Sequence, residues 1–294
     1  MAERPATAIC FGEVLWDFLP DGLHAGGAPF NVAYHLHAQG VRVLVASAVG
    51  DDTLGEELLR RLDDWDISTA HIARTARRTG FVRALIGSSG DARYEIARKV
   101  AWDQIAIKAP LLREARNARA VIFGSLAQRT RENRTALATL LDALPDNALR
   151  VFDVNFRPPH DDLKLAAKLA ARANVLKLNH EEAARLAGGS EKPGHEERNA
   201  RELFRRFGCE RIVVTAGAHG AGLLRDGRWL WEKGRRVQVL DTIGAGDSFL
   251  ATLVAHLLRG SDDRTALRES CRTGEWVATQ RGATPAYKRT TSRH

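Results

Sequence analysis

The chain has few cysteines, no long apolar run and none of the common phosphate-loop signatures, and each absence removes a class of protein. Three cysteines in 294 residues, Cys10, Cys209 and Cys271, lie far apart without metal-ligand spacing. They support neither a disulfide framework nor a zinc site, and they read as buried thiols. The ten histidines show no ligand spacing either; His35 and His37 are two apart on a predicted helix and cannot face one site together. The longest apolar runs, such as Val41–Val49, fall far short of the roughly 20 residues that a membrane-spanning helix needs. Residues 1–8 lead directly into the first strand with no apolar leader, so a cytoplasmic protein with no membrane partner is expected. There is no Gly-x-x-x-x-Gly-Lys-Ser/Thr loop and no His-Arg-Asp triplet, which excludes P-loop and protein-kinase readings. Low-complexity tracts and fixed-period repeats are missing too, so no long disordered stretch is expected.

What the chain has in excess is positive charge: 44 Lys and Arg against 36 Asp and Glu, a net charge of +8 and a pI near 9.8. That balance raises nucleic acid as a partner, a reading that predicts steeply salt-dependent binding. The arginines are scattered, however. Arg60-Arg61, Arg77-Arg78, Arg205-Arg206 and Arg235-Arg236 are isolated pairs near acidic residues or element ends, and no interleaved aromatics offer a stacking platform. A solvated Arg-rich surface follows, with no nucleic-acid partner expected. With 44% hydrophobic residues, one large α/β domain over 1–294 with a small insertion fits the length.

Hydrophobic periodicity supplies the elements. Ala8–Val14 and Val41–Val49 read as strands, Pro29–Gln39 and Thr53–Leu62 as helices. Thr79–Ile96 alternates and is broken at Gly87-Ser-Ser-Gly-Asp91, a hairpin. From Ala120 strand and helix alternate: strands at Ala120–Phe123, Arg150–Val154, Val175–Leu178 and Arg211–Thr215, helices at Thr130–Leu144, Asp161–Arg172, His180–Ala187 and Glu196–Phe207. A second hairpin, Gly222–Asp226 with Trp229–Trp231, precedes two helices at Ala245–Arg259 and Thr265–Gln280. This rhythm predicts an α/β fold with a central, mostly parallel sheet covered on both faces. Ligands then belong at the carboxyl ends of the strands.

Asp241-Thr-Ile-Gly-Ala-Gly-Asp247 is the most informative segment. Phe249, Leu250, Leu253, Val254, Leu257 and Leu258 share one helical face, so a buried helix starts near Gly244 or Ala245. Amides at a helix start attract anions, and Gly244 and Gly246 let the backbone approach closely. An acidic residue there would repel phosphate, unless it takes a proton from a hydroxyl that attacks phosphate. A plain N-cap with Asp247 complementing the helix dipole explains the residues equally well.

The segment resembles the C-terminal signature of the ribokinase-like (PfkB-type) carbohydrate kinases, Asp-Thr-x-Gly-Ala-Gly-Asp, and matches it at every defined position. Gly26-Gly27-Ala-Pro-Phe-Asn31 and Gly12-Glu13-Val-Leu-Trp-Asp17 are similar to the sugar-binding segments of fructokinases in that family. Asn179-His-Glu-Glu182, Thr215-Ala-Gly217-Ala-His-Gly220, Asp153-Val-Asn155-Phe-Arg157 and Gly282-Ala-Thr-Pro285 follow in family order, so the resemblance runs from Gly12 to Pro285. As a bare pattern Asn179 and Glu182 also make a capping box, Arg157 a salt bridge, and the glycines after Thr215 a hairpin turn.

The resemblance implies a kinase with a small β-rich lid drawn from about 14–25 and 79–98, and with ATP and Mg²⁺ as cofactors. Asp247 would be the general base, and Gly244, Ala245 and Gly246 the anion hole. Asp17, Gly26, Gly27, Asn31 and Arg157 would meet the sugar. Asn179, Glu182, Thr215, Gly217 and Gly220 would lie at the nucleotide, with Glu182 ordering Mg²⁺ through water. Carbonyls near Asp241, Ile243 and Gly282 would hold a monovalent cation such as K⁺, and lids would pair in a homodimer. Fructose is the implied sugar and 2-keto-3-deoxygluconate the runner-up. Ribose and nucleosides rank lower because Leu15 stands where ribokinase-type segments tend to be polar. A non-catalytic sugar sensor of the same fold is the rival from another class.

Overall fold

Strands with apolar side chains on both faces must be covered on both faces, and the element sequence of this chain provides the cover. The computed structural model describes residues 5–19, 22–86 and 92–287. The first part runs β1 (Thr7–Phe11), β2 (Leu15–Leu19), β3 (Gly22–Gly26), α1 (Ala28–Ala38), β4 (Arg42–Gly50), α2 (Thr53–Asp64), β5 (Ile72–Thr75), β6 (Gly80–Ile86) and β7 (Ala92–Ile96). Next come α3 (Ala109–Ala115), β8 (Ala120–Gly124), α4 (Arg131–Asp142), β9 (Leu149–Asp153), α5 (Leu163–Ala170), β10 (Val175–Asn179), α6 (His180–Ala187) and α7 (Glu196–Phe207). The chain closes with β11 (Arg211–Thr215), β12 (Gly220–Arg225), β13 (Arg228–Lys233), α8 (Ala245–Leu258) and α9 (Asp263–Ala278).

Nine strands form the main sheet in the order β13-β12-β11-β10-β9-β8-β1-β4-β5, parallel except where β12 pairs with β11 and β13. Alternation within β1 divides the core. Ile9 and Phe11 join the side chains of α3 to α7 on one face; Ala8 and Cys10 join those of α1, α2, α8 and α9 on the other. β1 lies between β4 and β8, and chain order reverses there, so a crevice opens outside the carboxyl ends of β1 and β8.

The first strand is shorter than Ala8–Val14 because the chain leaves the sheet at Gly12, whose N–H still bonds the Ala46 carbonyl at 3.2 Å. It enters a second sheet, β3-β2-β6-β7, in which β2 and β6 are parallel and the two hairpins antiparallel. Asp17 is therefore a strand residue, paired with His24 and Val82. The break expected at 87–91 lies outside the described residues. Two half-buried contacts help fasten this sheet to the body. The Trp16 indole donates to the Leu54 carbonyl at 2.9 Å. Arg129, bidentate on Asp103 at 2.7 and 2.9 Å, donates to the Ala97 carbonyl just past β7 at 2.6 Å.

Candidate active site

Parallel strands end together, so the residues that follow β1, β8, β9, β10 and β11 gather at one edge. The starts of α1 and α8 close over it. Gly27 caps α1 with φ 110°, and a β-carbon there would meet the Glu13 carbonyl at 2.4 Å; one on Gly26 would strike the Asp17 carboxylate at 2.5 Å. The glycine pair thus lets β3 pass into α1 hard against residues 13 and 17. One turn on, the buried Asn31 donates from Nδ2 to Asp247 Oδ2 at 2.8 Å. This bond joins segments 216 residues apart. Asn31 Oδ1 is buried with no partner among the described residues.

Asp247 sits in the first turn of α8, whose cap, Gly244, has a left-handed φ of 78°. Burial, reinforced by the Asp153 charge, pushes the Asp247 carboxyl up to about 6, while the Asn31 bond and the Lys177 and Arg157 charges pull the other way. Asp17 is likewise raised to about 6 and Glu13 to about 7, both chiefly by burial. The exposed Arg157 guanidinium offsets all three carboxyls. Its one hydrogen bond within the described residues is a long one, 3.5 Å to the Phe156 carbonyl. Asp17, Gly26, Gly27, Asn31, Arg157 and the 244–247 turn therefore share one neighbourhood.

A second group lies one strand further along. Asn179 and Thr215 are register partners at the ends of β10 and β11, and Thr215 Oγ1 donates to the Leu178 carbonyl at 3.4 Å. Glu182 Oε2 accepts from the Asn179 N–H while Asn179 Oδ1 accepts from the Glu182 N–H, each at 2.8 Å, and Oε1 accepts from the Phe156 N–H at 2.8 Å. The capping-box geometry is present, and the carboxylate also pins the loop after β9. Gly217 opens the turn between β11 and β12. Gly220 is packed against its own hairpin, since a β-carbon there would lie 2.0 Å from the Glu232 carbonyl. Its small size has an internal cause. Asp241 bridges the Ile243 and Gly282 amides at 2.9 and 3.1 Å, which brings those three together.

Three charged residues here carry no role in the sequence analysis: Glu13 and Asp153, which stand inside the quoted motifs, and Lys177. Each is buried, and Lys177 Nζ donates to Asp153 Oδ1 at 2.9 Å. The available signal was a lysine inside the apolar strand Val175-Leu-Lys-Leu178, where a cation costs too much to stand without a partner. Among the described residues no three His, Cys, Asp or Glu side chains form a metal cage. Glu182, with one backbone amide on each oxygen, keeps a free lone pair on each. That suits contact with a hydrated, hard cation whose other ligands are phosphate and water.

Residues 20–289 match the family of pfkB carbohydrate kinases. The chain is 28% identical over 314 residues to fructokinase-2 of Oryza sativa subsp. japonica, covering 97% of this chain and 92% of that protein. It is 27% identical over 265 residues to a fructokinase of Rhizobium leguminosarum bv. trifolii, covering 85% and 79%. Its fold superposes on fructokinase with bound ATP from Xylella fastidiosa with a TM-score of 0.82 at 23% identity, covering 95% and 94% of the two chains. Against 2-dehydro-3-deoxygluconokinase from Thermotoga maritima the TM-score is 0.83 at 20% identity, covering 96% of each. No helix among the described residues is long and apolar enough to cross a membrane. With a family match that runs almost end to end over a ribokinase-like fold, the chain belongs to the pfkB family of carbohydrate kinases.

Proposed function

We propose that the protein transfers the γ-phosphoryl group of ATP to the primary hydroxyl of fructose, giving fructose 6-phosphate. The observation that carries this reading is Asp247, oriented by Asn31 at 2.8 Å and placed directly after Gly244-Ala-Gly246 at the start of α8. The carboxylate accepts the proton of the attacking hydroxyl, and amides of the 244–246 turn stabilise the transferring group. Asp17 and the free Oδ1 of Asn31 accept hydrogen bonds from neighbouring sugar hydroxyls. Asn179, Thr215 and the turn at Gly217 border the nucleotide. Glu182 would order Mg²⁺ through water, and the ion would supply neutralisation of the charge on the nucleotide phosphates. The small sheet carries Asp17 on β2 and serves as the lid, excluding the water that would otherwise accept the phosphoryl group. Phe18 and Leu23, cross-strand partners 40% and 43% exposed, give lids an apolar face on which to pair in a dimer. The loops joined by Asp241 would hold K⁺, which a potassium titration of turnover reads out.

A coupled ADP-release assay across fructose, 2-keto-3-deoxygluconate, ribose, tagatose and adenosine tests the reading. A non-catalytic sensor gives no sugar-stimulated ADP with any of them. The sugar acid remains the second reading because the exposed guanidinium of Arg157 faces the same carboxyls as the sugar site and would pair with a substrate carboxylate.

Two variants probe the sugar subsite and a third the metal. Asp17→Ala raises the KM for fructose roughly ten- to a hundredfold, the scale for losing a charged partner of a buried hydroxyl, with ATP affinity little changed. Asn31→Ala lowers kcat as well as sugar affinity, because Asn31 also holds Asp247. A normal fructose KM in both assigns these residues to the fold alone. Glu182→Gln weakens the Mg²⁺ response of turnover. It also puts an amide NH₂ against a backbone N–H, at a cost of about 1–3 kcal/mol. Mg²⁺ dependence unchanged from the parent would leave Glu182 as a cap and nothing more.

A further inference from the structure

Asp153 and Lys177 are register partners on β9 and β10, with side chains only 4% and 8% exposed. An ion pair this deep is poor glue, since two apolar residues would join the strands at less cost in desolvation. The pair also points somewhere. A β-carbon on Gly246 would lie 3.3 Å from Lys177 Nζ, so the ammonium group lies directly beneath the Gly-Ala-Gly turn. Asp153 uses only Oδ1 on the lysine, and its Oδ2 is buried without a partner among the described residues. The charges facing Lys177 come from three elements: Asp153 from β9, Glu182 from α6 and Asp247 from α8. Asp247 in turn is faced by Asn31 from α1, Asp153, Lys177 and Arg157, and its charge reaches Glu13 and Asp17.

We propose that Lys177 is the fixed cation of the phosphoryl-transfer site, its ammonium group offsetting from beneath Gly246 the charge of the transferred phosphoryl group and of Asp247, while Asp153 holds it in position. The proposal rests on the reading of 244–247 as the transfer site. A lysine in the strand below acts without a side chain in the substrate cavity, which leaves the turn free to be glycine.

The test compares Lys177→Met, Asp153→Asn and the double variant with the parent, in kcat against pH, in ATP affinity by calorimetry without sugar, and in thermal unfolding. Lys177→Met lowers kcat by about 10²–10³-fold, the scale for losing one preorganised stabilising group, and weakens ATP roughly tenfold or more. Its acid limb moves to higher pH, because Asp247 loses a neighbouring cation. Asp153→Asn moves that limb the opposite way, because Asp247 loses a neighbouring anion. Opposed shifts are not the signature of loosened strands. The double variant removes both charges and so folds even if an orphaned Asp153 prevents the single variant from folding; its kcat stays low with the limb in between. Parental kcat and ATP affinity in the folded double variant overturn the proposal. A parent that phosphorylates no sugar overturns the functional reading instead, and the ATP measurement still judges Lys177.

Discussion

Replacing Asp247 with Asn lowers turnover by about 10²–10⁴-fold, the usual contribution of a positioned base, with nucleotide affinity close to that of the parent. The Asn31 bond survives, because a carboxamide oxygen still accepts, so the variant tests proton acceptance and not geometry. In the parent, the proposed base must be ionised. Its carboxyl is raised to about 6 by burial and by Asp153, so kcat falls as pH drops below about 6 and levels off above it. Stability moves the other way. Glu13, Asp17 and Asp247 all hold their protons more tightly folded than their ordinary values of 4.5, 3.8 and 3.8. The folded chain therefore binds more protons than the unfolded one between those values and about 7, and stability declines as pH rises through that window. Asp247→Asn removes one share of that decline. At pH 7.5 it melts higher than the parent, by about 1–2 kcal/mol in stability, and near pH 4 the advantage disappears. Near-parental turnover in this variant would remove Asp247 from the chemistry.

Gly244→Ala is the second large effect. A β-carbon there would stand 2.6 Å from the Ala283 Cα and 2.7 Å from its carbonyl oxygen, on a backbone already at φ 78°. Either the turn or the loop that begins at Gly282 must move, and in both cases the 244–246 amides lose their aim. The drop in kcat is about 10²–10³-fold, as for loss of a preorganised donor. Sugar affinity changes little, because Asn31 and Asp17 are anchored elsewhere. The buried face of α8, from Phe249 to Val254, keeps the helix in place. Gly260→Ala is the matched control: φ there is 74°, but nothing lies within 4 Å of the added carbon, so it carries the left-handed strain, about 1–2 kcal/mol, without the collision. Equal turnover in the two variants would reduce the Gly244 effect to strain.

Much of the chain is legible one residue at a time. α6, α7 and β11 fall where apolar spacing and capping residues put them, because their signals are local: Asn179 three residues before Glu182, and a glycine at 188 and 208 ending each helix in a left-handed cap. The same holds for the helix start at the glycine turn ahead of Asp247, where the apolar run behind it and Gly244 at the cap are neighbours along the chain. β5 is different. Ile72–Thr75 buries a single side chain at the edge of the sheet, and one apolar residue makes no period. α3 begins Ala109-Pro110 and runs only seven residues, too short to register a face.

The order of residues carries the list of chemical groups and the α/β rhythm that delivers them to one edge. Their partners come from folding. Asn31 meets Asp247, Gly26 makes room for Asp17, Lys177 lies under Gly246, and β2 pairs with β6 across two intervening main-sheet strands. The reason is physical. Local propensity is written in neighbours along the chain, whereas the acidity of a carboxyl and the worth of a buried cation depend on desolvation and on charges brought close by folding, which no local pattern records.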